Sequence, residues 1–173
     1  MKRTFLTIAD AISTSLGYAS YAMVLILVAA MVYEVVARYI FGAPTAWAFD
    51  IAYMCTGVLF VLGAAQALRE DAHVRIDFLS ARLPVRIREL IEGGIYLLVL
   101  GPIFSLLTVI AAQRTWRAWT TGEVEHVSPW APLMWPFYSA LTIGLAGLTL
   151  QILAEGIRYL AAERQDAAFQ IKE

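Results

Sequence analysis

Four apolar stretches, each long enough to cross a lipid bilayer as a helix, constrain this chain more than any other feature. They run from about residue 16 to 41, 48 to 68, 88 to 114 and 131 to 155 of the 173-residue sequence. A bilayer core about 30 Å thick needs about 20 mostly apolar residues in helical form. Inside lipid, only helices and closed barrels satisfy every backbone N–H and C=O, and these runs are too continuously apolar for alternating barrel strands. The expected fold is therefore all-α, a single four-helix membrane domain over residues 1–173. The composition is 60% hydrophobic and 16% charged, against roughly 45–50% and about 25% in soluble domains.

The opening segment "MKRTFLTIADAISTSLGYAS" carries Lys2 and Arg3, but Asp10 and several hydroxyl residues separate them from the apolar run. That run is longer than the apolar core of a signal peptide, so it reads as an uncleaved first helix. Of the 13 Lys and Arg, only Arg38, Arg114 and Arg117 fall on one side of the four spans. The positive-inside rule then places both termini and the polar interval Arg69–Leu90 in the cytoplasm. Within that interval Phe78, Leu79, Leu83 and Ile87 suit an amphipathic segment lying along the inner interface between the second and third spans.

Several function classes lose support. A net charge of −1, without basic residues clustered among stacking aromatics, gives no case for nucleic acid. Cys55 is the single cysteine, which rules out an intrachain disulfide or a thiol pair. The sequence contains no nucleophile elbow, zinc-protease helix or phosphate-binding glycine loop, so no enzyme activity, catalytic residue or metal site is expected. His73 and His126 fall on opposite sides of the membrane in this topology and cannot jointly hold a metal or haem. In the apolar cores of the spans, about 16–41, 51–68, 93–112 and 131–154, Glu34 and Arg38 near one end are the only Asp, Glu, Lys or Arg, with Gln66 and Gln151 as large polar exceptions. Coupled carriers usually place polar groups or broken helices at the midplane; this pattern suits a scaffold better.

Candidate interaction residues gather on the outer side. Glu34 and Arg38 are spaced four apart, the favoured orientation for a helical ion pair, with the Glu expected to remain wet at the span end. Asp50 opens the second span, where a carboxylate complements the helix dipole and is expected to cap it. All five Trp, namely Trp47, Trp116, Trp119, Trp130 and Trp135, lie in or beside the two outer connections. Interfacial Trp normally occurs at both membrane surfaces, so a one-sided set suggests a protein-docking rim. Pro129, Pro132 and Pro136 predict a stiff, non-helical lead-in to the fourth span. Pro102 predicts a kink within the third by removing a backbone donor, and Gly93, Gly94, Gly101, Gly144 and Gly147 allow close helix approach, with packing inside the chain as the leading reading.

The stretch "EVVARYIFGAPTAWAFDIAYMCTGVLFVLGAAQALREDAHVRIDFLSARLP" resembles the small membrane subunit of tripartite ATP-independent periplasmic (TRAP) transporters, the DctQ type. The matching features are "RYIFG", the Pro and Trp of the outer loop, the acidic opening of the second span, "LGAA" and "HVRID". The family more often has Glu at the acidic position, where this chain has Asp50. The resemblance singles out Glu34, Arg38, Trp47, Asp50, Arg69, His73, Arg75 and Asp77 as motif and interface residues. It implies a non-catalytic scaffold in the bacterial inner membrane, without a cofactor in this chain. Its implied partners are membrane lipids, a large multi-span subunit holding substrate and a coupling ion, usually sodium, and a periplasmic protein delivering an organic acid such as a dicarboxylate or sugar acid. Two other classes stay open on the residues alone: a membrane anchor for a redox enzyme, and a structural membrane adaptor.

Overall fold

The computed structural model describes residues 2–70 and 85–161, and within these the chain is helical apart from two connections. Its elements are α1 (Lys2–Tyr39), α2 (Ala48–Arg69), α3 (Val85–Gly94), a π-helical segment (Ile95–Leu100), α4 (Gly101–Thr121) and α5 (Trp135–Leu160). Four stretches are long and apolar enough to cross a membrane: Thr4–Tyr39, Ala48–Arg69, Glu89–Thr121 and Trp135–Leu160. The expected interfacial segment after Arg69, with His73, Arg75 and Asp77, lies outside the described residues.

The helices outrun the apolar runs that announce them. The first begins at Lys2 rather than near residue 16, giving 38 residues and a rod of about 57 Å. The fourth begins at Trp135 rather than near residue 131 and continues to Leu160. Helix propensity and packing extend a helix beyond the part that lipid demands, so Asp10 and Arg158 enter the bundle as helical residues.

At Pro102 the third span changes winding. Pro102 has no N–H, and its ring collides with the carbonyl four residues back in a regular α-helix. Here the preceding turn widens into the π segment, with the Gly101 N–H donating to the Tyr96 carbonyl, and Pro102 sits in the first turn of α4.

Gly122 ends α4 in the left-handed conformation, and a second left-handed glycine, Gly42, follows three residues after the end of α1. Gly42 has φ +63° and Gly122 φ +62°, conformations that cost glycine little because it lacks a Cβ. After Gly122 the Glu123 N–H reaches back to the Ala118 carbonyl at 3.1 Å, a bond of the Schellman type, and past α1 the Ala43 N–H satisfies the Ala37 carbonyl at 2.9 Å. After Gly122 the chain forms a small hairpin, with Val124 bridged antiparallel to Leu133 and Met134 N–H donating to the Glu123 carbonyl at 2.9 Å.

The bundle reverses the packing logic of a water-soluble protein. In α1 the buried positions include Ala9, Ser13, Gly17 and Ser20, whereas Tyr18, Tyr21, Leu25 and Val32 point outward. Lipid tails are as apolar as leucine, so large apolar side chains gain nothing by turning inward. Close contact between small residues and hydrogen bonds between helices hold such a bundle instead. Helix α5 packs against α1, α2, α3, the π segment and α4. Its Gly144 lies against the Val61 and Leu62 backbone and its Gly147 against Leu16, while Gly93 and Gly101 face Leu160 and Leu153. These four glycines serve packing within the chain.

Candidate functional site

The loop-bearing end is organised by carboxylates. Glu34 is only 2% exposed, so it does not remain wet as its place near the span end suggested. It accepts from Arg38 Nε at 2.8 Å and from the Arg38 terminal nitrogen. Its other oxygen accepts the Thr45 backbone N–H at 2.9 Å and the Thr45 hydroxyl. The i, i+4 spacing shows the Arg38 partner, but Thr45 becomes a partner only because the Gly42 turn folds the loop back. Arg38 also lies over the Phe49 ring, 5.5 Å from its centroid.

Asp50 occupies the first turn of α2, whose N-cap is Trp47 without a side-chain cap bond. Its carboxylate instead accepts the Ser128 hydroxyl from the second connection. The same Ser128 oxygen accepts from Trp130 N–H at 3.2 Å. One serine thereby ties the hairpin to the start of α2 and sets the position of an exposed tryptophan. Arg114 pairs with Glu123 at 2.5 Å and lies 5.0 Å from the Tyr138 ring centroid, fastening the hairpin base to α4 and α5.

The five Trp do not form one surface. Trp47 packs against Tyr33, with centroids 5.4 Å apart, between α1 and α2. Trp119 meets Trp135 edge to face at 4.6 Å, and together with Trp116, Thr115, Ser139 and Thr142 they line a groove between α4 and α5. Trp116 is 70% exposed and Trp130 is carried on the hairpin. The docking-rim residues expected from sequence therefore divide between a lateral groove and the hairpin.

At the opposite end Arg69, a motif residue, is 3.6 Å from Asp10 Oδ1 and donates to the Thr14 hydroxyl at 2.5 Å. Asp10, Glu155 and Arg158 were not singled out from the sequence, because they lie outside or at the margin of the apolar runs. For Asp10 the signal is the α1 stripe at helical spacing, Leu6–Ala9–Ser13–Gly17–Ser20, beside which it lies; no comparable local signal marks Glu155 and Arg158. Among the described residues, no three His, Cys, Asp or Glu side chains converge to hold a metal ion.

Comparison with known proteins adds two findings. The family model described as tripartite ATP-independent periplasmic transporters, DctQ component, matches residues 27–162. The sialic acid TRAP transporter permease protein SiaT of Haemophilus influenzae (strain 86-028NP) is 30% identical over 77 residues, 44% of this chain. The match covers 12% of that relative, so this chain corresponds to a small part of it.

Proposed function

The chain belongs to the DctQ component family of TRAP transporters, and from that premise we propose that it is the static scaffold beside a larger subunit in which transport takes place. DctQ components are transport subunits of the inner membrane and not enzymes. The observation that carries the scaffold reading is the use of intramembrane polar groups. The Ser13 hydroxyl donates to Gln151 at 2.7 Å, Thr108 and Thr149 hydroxyls lie 3.0 Å apart, and Thr115 and Thr142 hydroxyls 2.9 Å apart. Such bonds join the helices of this chain to one another, while large apolar side chains such as Leu25, Leu98 and Leu106 face outward, available to lipid or to a membrane partner.

In this reading both termini are cytoplasmic and the loop-bearing end is periplasmic, following the positive-inside rule. The hairpin and the Glu34–Thr45 loop form a rigid outer rim that helps a periplasmic binding protein deliver its cargo. Cargo is an organic acid, a class to which the sialic acid of the named relative belongs, and transport is coupled to an ion gradient, with sodium the first candidate. The coupling ion and substrate reside in the large subunit. Arg69, His73, Arg75 and Asp77 then belong to the cytoplasmic side, where Arg69 pairs within the chain and the other three have lipid headgroups or the large subunit as their neighbours.

The test is uptake into proteoliposomes containing the large subunit, the binding protein and an imposed sodium gradient, with and without this chain. Uptake that requires all components supports the reading. Full uptake without this chain rejects an essential scaffold role.

A further inference from the structure

We infer that Asp10 is the keystone of an ionic clamp that closes α1 onto α2 and α5 at the end of the bundle opposite the two loops. The Asp10 carboxylate meets Arg158 at 2.5 Å through Oδ2 and Arg69 at 3.6 Å through Oδ1. Arg158 also pairs with Glu155 at 2.5 Å, and Gln151 links the two acids, donating to Glu155 at 3.0 Å and standing 3.4 Å from Asp10. Two acids and two bases from three helices thus balance one another.

The helices are already close here: a Cβ on Gly17 would stand 1.2 Å from the Gln66 amide oxygen, and one on Gly147 2.1 Å from Leu16. Ser13, Gln151 and Glu155 are essentially inaccessible. In so tight a junction near lipid, apolar contact contributes little net drive between helices. Asp10 is one-quarter and Arg158 one-fifth exposed, so removing the Asp10 charge leaves a partly desolvated Arg158 with Glu155 alone, at a cost below that of a fully buried pair. The clamp therefore decides how α1 seats, and Asp10 is a positioning residue for the scaffold. Its action is within this chain and does not rest on the transporter assignment.

The test uses the full chain in bilayers, with Cys55→Ala and a cysteine pair at Leu6 and Ala154, residues that share one buried cluster. Cross-linking between them reports the seating of α1. Asp10→Asn preserves side-chain shape and removes charge, and is expected to lower cross-linking about threefold to fivefold, the scale of a partly exposed ion pair. Asp10→Glu should retain most of it. Arg69→Gln should cost less in the Asp10→Asn background than alone, since the two share one interaction. Should Asp10→Asn fail to accumulate in the membrane while Asp10→Glu accumulates normally, charge is again the cause and the clamp stands. Wild-type cross-linking by Asp10→Asn, or strictly additive effects of Asp10→Asn and Arg69→Gln, would overturn it. Loosened cross-linking with unchanged uptake would leave the clamp intact and count against the scaffold role instead.

Discussion

The Ser128 hydroxyl donates to the Asp50 carboxylate, across 78 positions of sequence, and joins the second outer connection to the first turn of α2. This bond holds the hairpin whose Trp130 N–H turns back onto the same Ser128 oxygen. Replacing Ser128 with Ala should release both contacts while leaving the spans in place. Amide exchange at Trp130 is expected to accelerate about tenfold, the scale of one lost hydrogen bond involving a charged group. Unchanged exchange would show that the hairpin is held by its own backbone bonds and the Arg114–Glu123 pair without the Ser128 contact.

Glu34 is an acceptor to four donors, two on Arg38 and two on Thr45. Gln at this position exchanges one acceptor oxygen for an NH2 group, which must then face a donor. Glu34→Gln should consequently lower the thermal midpoint in detergent more than Thr45→Val, which leaves the Arg38 pair and the Thr45 backbone bond. The reverse order would mean that the Thr45 hydroxyl, not the carboxylate, organises the turn.

Gly144 and Gly94 offer a matched comparison. A Cβ at Gly144 would come within 2.7 Å of Val61 Cγ1 and 3.1–3.2 Å of the Val61 and Leu62 backbone, whereas one at Gly94 meets nothing within 4 Å. Gly144→Ala must push two helices apart and is expected to destabilise by about 1–3 kcal/mol. Gly94→Ala should be neutral or stabilising by up to about 1 kcal/mol through helix propensity. Reversible unfolding in mixed micelles would measure both, and a neutral Gly144→Ala would show that α2 and α5 separate easily.

Trp116 and Trp119 separate docking from stability. Trp119 leans edge-on against Trp135, a contact worth about 0.5–1.5 kcal/mol beyond area burial, so Trp119→Ala should lower stability as well as any docking. Trp116 is largely exposed, and Trp116→Ala should leave the melting curve unchanged. If the rim receives a binding protein, Trp116→Ala raises the binding-protein concentration needed for half-maximal uptake. An unchanged concentration dependence would assign Trp116 to the lipid interface.

The sequence by itself determined that four helices cross a membrane. Backbone groups in lipid must be satisfied within each segment, so length and apolarity alone decide the matter. It also determined the Glu34–Arg38 pair, because a four-residue spacing on one helix brings two side chains together without help from the rest of the fold. The missing N–H of Pro102 was legible, but its consequence, a π turn ahead of the proline, was not.

What tertiary structure alone decided is where each helix turns its polar residues. Asp10 and Arg158 are separated by 148 positions, and nothing in either neighbourhood names the other. They meet because small residues let α1 and α5 approach closely enough for a charge to be shared. Asp50 looked like a helix cap until the hairpin brought Ser128 to it, and Glu34 looked wet until the Gly42 turn returned Thr45 over it. Membrane crossing is a property of single segments, whereas the partners of buried charges depend on which helix faces meet.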